Sequence, residues 1–324
     1  MKHTIYGILA FALLLSGCLQ DEAPIPKREP GDVESAMVAM GVDYDNQLYY
    51  DLETGLVVTQ NIKTDWDLAF GNSLEDHFIY LNGSRAMFAG QTDSDDFSET
   101  PDPAAVDLRA DVPSGNSDST AFRHLINIGQ RVGVVDLGRD LSGTPVGQFK
   151  MQVIEHDLTG WRIRVGELAD PVGNEVTVSH GLASRNFRFF QYASREVLDI
   201  EPPQNDWDLW FTQYMERLPF NGDTLDFLVT GVLINPYNVG VAEDDLAEFD
   251  DITRDYAERL DYETFRNAIG YDWKRYDFDL GHIVNPLKVY VIRDTEGAYY
   301  KLRFIDFYND DGDKGHPLFE YQRL

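Results

Sequence analysis

The residues able to do chemistry in this chain are few and widely spaced. The single cysteine, Cys18, stands near the N-terminus, which rules out an internal disulfide framework or a Cys-rich metal site. No Gly-x-Ser-x-Gly elbow, phosphate loop or His-Glu-x-x-His pair occurs, so the motifs that announce catalysis are missing. Four aspartates recur in matching places, Asp65 and Asp67, then Asp206 and Asp208. They suggest an acid/base pair at first, but beside tryptophan on strands they fit better as acceptors of backbone or Lys/Arg hydrogen bonds. The expectation is a protein that is not an enzyme. Asn309, Asp311, Asp313 and Glu320 follow the 1, 3, 5 and 12 count of a calcium loop. The glycine falls at Gly315, one place late, and an Asp-rich hairpin turn accounts for the same residues.

Charge narrows the partners. Fifty-six Asp and Glu against 27 Lys and Arg leave a formal net charge of -29. Such a surface repels phosphate backbones and anionic headgroups, so no nucleic-acid partner is expected. The N-terminus reads differently. Lys2 and His3 precede an apolar run from Ile5 to Leu15, then Leu15-Ser16-Gly17-Cys18. That is a secretory leader too short to span a bilayer, and its end resembles the lipobox of bacterial lipoproteins. Residues 1–17 are then the signal peptide, Cys18 the site of lipid attachment, and 18–40, with Pro24, Pro26 and Pro30, a tether. Gln20-Asp21-Glu22 looks like the acidic export tag of surface lipoproteins in Bacteroidetes-type bacteria. It places the protein on the outer membrane, exposed to the outside.

The elements that must position any site are mostly strands. Asp65-Trp66-Asp67-Leu68-Ala69-Phe70 is repeated as Asp206-Trp207-Asp208-Leu209-Trp210-Phe211. Alternation turns Trp, Leu and Phe of each copy to one face and the aspartates to the other. A hairpin is expected over 47–58 and another at Asn82-Gly83. From Thr92 to Ser119 the chain is acidic, with Pro, Gly and Ser and no apolar period, which reads as a long exposed loop. Asp244 to Arg266 has helical spacing, unbroken or as two short pieces. A second match joins Gln148–Ile154 to Tyr299–Ile305, with Arg139-Asp140 and Arg293-Asp294 ahead of each. The fold class is therefore mainly β: two related antiparallel units packed together, 41–185 and 186–324, with one or two short helices in the second.

The Asp-Trp-Asp-Leu-x-Phe strand, the Asn-Gly after it and the closing Tyr299-Tyr300-Lys301-Leu302-Arg303-Phe304 strand resemble the HmuY-like lipoproteins of Bacteroidetes. The similarity is strongest through Gly270–Lys274 and Lys301–Asn309. It implies an almost wholly β, lipid-anchored surface protein that binds haem and hands it to an outer-membrane transporter. Family members hold the iron through two axial histidines or methionines. No motif marks those ligands here. Haem iron takes His or Met donors in an apolar pocket, and the candidates are His77, Met87 and Met215. His77 and Met215 follow the two Trp strands at comparable places, and Met87 lies past Asn82-Gly83. Met151 reads as core filler and His156 as an exposed residue beside a turn. Two other readings stay open, a non-haem interaction or accessory protein of a surface transport or adhesion complex, and a surface hydrolase.

Overall fold

The protein is described by a computed structural model over residues 30–123, 131–181 and 184–324. Its strands in chain order begin with β1 (Glu34–Met37), β2 (Asn46–Asp51), β3 (Leu56–Ile62), β4 (Leu68–Gly71), β5 (Ile79–Leu81) and β6 (Phe88–Gln91). Next come β7 (Val132–Asp136), β8 (Gln148–Asp157), β9 (Gly160–Glu167), β10 (Asn174–Ser179), β11 (Phe187–Gln191) and β12 (Glu196–Leu198). The remainder holds β13 (Leu209–Phe220), β14 (Asp223–Ile234), β15 (Gly240–Asp244), the helix α1 (Arg254–Ala257), β16 (Lys274–Asp277), β17 (Gly281–Val284), β18 (Val289–Arg293), β19 (Tyr299–Tyr308) and β20 (Lys314–Arg323). All strand pairs among the described residues are antiparallel. The mainly β fold is as the sequence implied.

Residues 31–324 form one compact unit built of four layers. A five-stranded sheet, β10-β9-β8-β7-β6, covers one face of the four-stranded sheet β12-β11-β4-β5. The sheet β1-β20-β19-β18-β15 covers one face of β14-β13-β2-β3 in the same way. The two four-stranded sheets then meet through Tyr49, Trp66, Phe189, Trp207, Trp210 and their neighbours. Alternation supplies both faces of each middle strand: Leu209 and Phe211 look into one core, Trp210 and Tyr214 into the other.

The Trp residues depart from the expected face. Leu68 and Phe70 pack in the outer core, but Trp66 turns to the central one, and Trp207 does the same against Leu209 and Phe211. The regular strands start only at Leu68 and Leu209. The residue before each is fixed by its own bonds. Asp67 N–H donates to Phe190 O, and Asp67 Oδ2 accepts from Tyr192 N–H. Asp208 N–H donates to Tyr50 O, and its Oδ2 accepts from Leu52 N–H. That is one corner made twice, and in each case the partner hairpin comes from the other half of the chain. The hairpin β2–β3 precedes β4 yet pairs with β13, while β11–β12 precedes β13 yet pairs with β4. The line at 185/186 is therefore crossed in both directions.

Other expectations change with the packing. Within the stretch read as tether, residues 34–37 form β1 on the edge of β20, and Val38 and Met40 are buried. Asn82-Gly83 is no hairpin: Asn82 caps a 3-10 turn over Gly83–Arg85 and donates through Nδ2 to Lys63 O and Trp66 O. The two-residue turn belongs to Asn221-Gly222, both with positive φ, between β13 and β14. Asp244 ends a strand rather than opening a long helix, because its carboxylate accepts from Leu246 and Ala247 N–H and from Tyr256 Oη–H. Only a 3-10 turn (Phe249–Asp251) and α1 follow, with Leu246 in solvent. The acidic stretch 92–119 is not uniformly exposed either. Phe97 is buried under Lys150, whose ammonium donates to Phe97 O and Glu99 O. Asp111 bonds Leu81 and Ala121 N–H.

Candidate functional site

Three histidines from three separate segments meet at the end of β8. The β8–β9 ladder runs Val153 against Ile163, then skips one residue to pair Glu155 with Arg162 and His156 with Trp161. This bulge moves His156 onto the face of Phe149, Met151 and Val153, where plain alternation would have put its neighbours. Its ring lies flat on Trp161, centroids 3.6 Å apart and 8° from parallel. Trp161 Nε1–H donates to Gly71 O at the start of the loop that carries His77. Asn72 ties that loop to the segment after β10, accepting from Gly181 N–H and donating to Arg185 O. His180 N–H in turn donates to Thr159 O.

The result is a chain of imidazoles. His156 Nδ1 lies 3.2 Å from His77 Nδ1, and His156 Nε2 lies 3.3 Å from His180 Nε2. His77 is exposed; His156 and His180 are half-buried. Burial, then the neighbouring imidazoles His77 and His180, push the pKa of His156 down to about 4. It is neutral at pH 7, as a metal ligand must be. Because His156 spends its two nitrogens in opposite directions, no three nitrogens face one point. Among the described residues no group of three His, Cys, Asp or Glu is arranged to hold a bare metal ion.

Met87 and Met215 stand apart from His77. Met87 is fully buried and Met215 nearly so, and both line a cavity of about 50 Å³ with Trp66, Tyr80, Trp210 and Arg266. Small-molecule pockets span roughly 300–1,000 Å³; the space that the two methionines share is smaller, while Met215 also borders a second cavity of about 440 Å³. The calcium-loop residues form a hairpin turn: Asn309 Oδ1 accepts from Asp311 and Asp313 N–H, while Glu320 accepts from Arg303. Three of the four repeated aspartates are structural, and Asp206 is exposed. Asp65 accepts from Ile62 N–H, Asp67 is salt-bridged to Arg85, and Asp208 accepts from Leu52 and Thr295 N–H. Met151 is core, as expected. Cys18 and His124 lie outside the described residues.

His156 is the residue that sequence reasoning passed over. The signal was available in the second internal match. Extended by two residues, Val153-Ile154-Glu155-His156 lies against Phe304-Ile305-Asp306-Phe307. Phe307 is fully buried, beyond a register shift of its own. An aromatic position facing inward is where a histidine can do more than solvate.

The profile of the HmuY protein family matches residues 43–321. The chain belongs to the HmuY family. Among solved structures, apo PinO from Porphyromonas gingivitis is similar at 12% identity, covering 90% of this chain and 97% of its own, with a TM-score of 0.37. The apo HmuY analogue of Tannerella forsythia is similar at 13%, covering 92% and 97%, with a TM-score of 0.27. A Bacteroides vulgatus protein named as HmuY-like and haem-binding shares 11%, covering 89% and 90%, with a TM-score of 0.24. Membership rests on the family match. No curated protein matches the chain.

Proposed function

We propose that this HmuY-family protein is a haem-binding lipoprotein of the outer cell surface, anchored through Cys18, with the iron held at the His77–His156–His180 cluster. The observation that carries the reading is the linear arrangement of the imidazoles. Two nitrogens at a time cannot satisfy a bare ion, but they suit an iron that brings four porphyrin nitrogens and needs only axial ligands. His77 and His156 would hold the iron through imidazole nitrogens that now lie 3.2 Å apart, so the exposed loop that carries His77 would have to move outward to admit the haem. Candidates Met87 and Met215 take no part in this arrangement. The corners at Asp67 and Asp208 also support reading the chain as a duplicated unit with exchanged hairpins.

The test is a haem titration of the chain that follows Cys18, monitored by absorbance with iron oxidised and reduced. A saturable Soret shift near one haem per chain is expected. The shift should be lost in the double variant His77→Ala/His156→Ala and kept in Met87→Leu/Met215→Leu. A shift that survives the histidine changes sinks this ligand set, and no shift at micromolar haem sinks the haem reading. A second reading, an accessory protein of a surface transport complex, draws on the β16–β17 hairpin, where Phe278 is 95% and Leu280 73% exposed. Co-purification with an outer-membrane transporter, lost in Phe278→Ser, would favour it.

A further inference from the structure

A groove of about 490 Å³ runs beside the loop that carries His77, walled by Phe78, Tyr80, Phe187 and Tyr237. Two guanidinium groups, Arg185 and Arg266, line it, with Asp76 the one carboxylate. In a chain of net charge -29 that local balance is unusual. The cations are also underused. Arg266 lies over the rings of Tyr80, Phe187 and Trp210, 5.1 to 5.5 Å from their centroids, and its Nε is buried with no hydrogen-bond partner. Arg185 Nε and Nη1 are likewise buried and unpartnered. Its nearest carboxylate, Asp199, stands 3.9 Å from Nε and is engaged by Arg188. Buried guanidinium nitrogens are ordinarily paired, and each exception asks for an explanation.

We infer that this groove is a binding site for a small organic carboxylate with a flat apolar body. The planar fork of arginine matches a carboxylate in two parallel hydrogen bonds, and the aromatic walls suit a flat ring. The volume lies within the range of small-molecule pockets. Of the two buried acids nearest Arg266, only one keeps its charge. Burial raises the pKa of Glu201 to about 8, so it is mostly neutral at pH 7, and it accepts from Phe187 N–H. Asp111, raised by burial to about 6, is mostly ionised at pH 7 and offsets part of the Arg266 charge, but its oxygens are taken by Leu81 and Ala121 N–H, and Arg185 keeps its charge.

The probe is 2-naphthoate, titrated against the chain that follows Cys18 by tryptophan fluorescence and calorimetry, with neutral 2-naphthamide alongside. Saturable binding of the acid is expected, weaker by about tenfold or more for the amide, which is a loss of about 1.4 kcal/mol or more. Arg185→Gln and Arg266→Gln should each bring the acid down to the level of the amide. Acetyl-glycyl-tryptophan with a free carboxylate separates the sources. Binding tighter than naphthoate assigns the groove to peptide termini, and weaker binding assigns it to free acids. Equal binding of acid and amide, or no effect of Arg185→Gln in a folded protein, overturns the inference. Arg185→Gln carries the test if Arg266→Gln fails to fold. Since the probe holds no iron, the outcome stands apart from the haem reading.

Discussion

Two strand ends in this molecule are built alike and finish differently. β8 and β19 each carry a buried lysine that reaches across to carbonyls of a neighbouring segment, Lys150 to Phe97 and Glu99, Lys301 to Phe249 and Ile252. Both strands slip register a few residues later. At that point β8 presents His156 and β19 presents Phe307. Against Phe307 packs the lone His282, rings 4.7 Å apart, much as His77 packs against His156 at 5.0 Å. Both ends thus share a frame that puts an imidazole on an aromatic position. Only the β8 end makes that position a histidine and adds a third. The two ends share a frame, and one residue at a bulge decides whether imidazoles meet there.

The Asp67 and Asp208 corners differ in the same spirit. Asp67 has Arg85 against it, whereas Asp208 has backbone donors alone and is pushed by burial up to about 7. The largest effect is expected from making the first corner like the second. Arg85→Met leaves Asp67 a buried carboxylate without its ion-pair partner and should cost about 3–5 kcal/mol at pH 8. A carboxyl whose folded pKa is raised favours the fold in acid and loses that advantage as pH rises, so the deficit should shrink by pH 5. Urea unfolding at the two pH values checks this. An equal deficit at both would mean that Arg85 acts through packing instead.

The glycines behind the two edge strands come next. Gly160 lets β10 lie against the β8–β9 turn, and a Cβ there would overlap Val178 O; Gly315 serves the segment after β1, where a Cβ would overlap Gly41 O. Both have positive φ. Gly160→Ala and Gly315→Ala should each cost about 1–3 kcal/mol, but only Gly160→Ala, which displaces His180, should also weaken haem binding. If both weaken it equally in a titration, the comparison between the ends fails.

The smallest effect concerns acid. Burial lowers the pKa of both His156 and His282 to about 4, each helped by neighbouring cations or imidazoles. The unfolded chain then binds protons that the fold refuses, so this part of the stability is present above the ordinary histidine range and is lost as pH falls from about 6.5 toward 4. His156→Phe should remove about half of that loss, seen as a shallower fall in thermal midpoint over the same interval. An unchanged slope would place the proton uptake elsewhere.

Much of this was legible in residue order. The β content follows from short alternating runs, and each of the two Asp-Trp-Asp-Leu copies leads into a strand, at Leu68 and at Leu209. Local turn chemistry was less reliable. Asn82-Gly83 carries the letters of a hairpin, but Asn82 is consumed by Lys63 O and Trp66 O, a contact that sequence does not display. The helical span over 244–266 comes as two short pieces, Phe249–Asp251 and Arg254–Ala257, because Asp244 found N–H donors and the Tyr256 hydroxyl close by and stayed on a strand. His77 was legible as a candidate by its place after the Trp strand, whereas His156 and His180 became partners only through a bulge and a glycine contact.

By itself the sequence determined the acidic surface, the strand-forming middle and family membership, since each is a property of composition or of residues near one another in the chain. The tertiary structure decided which hairpin pairs with which Trp strand, which way the tryptophans face, and which histidines meet. Those outcomes depend on hydrogen bonds and packing between segments far apart in the chain, such as Leu52 and Asp208, 156 residues apart, where local propensity has no reach and one extra residue in a strand reverses the face of all that follow.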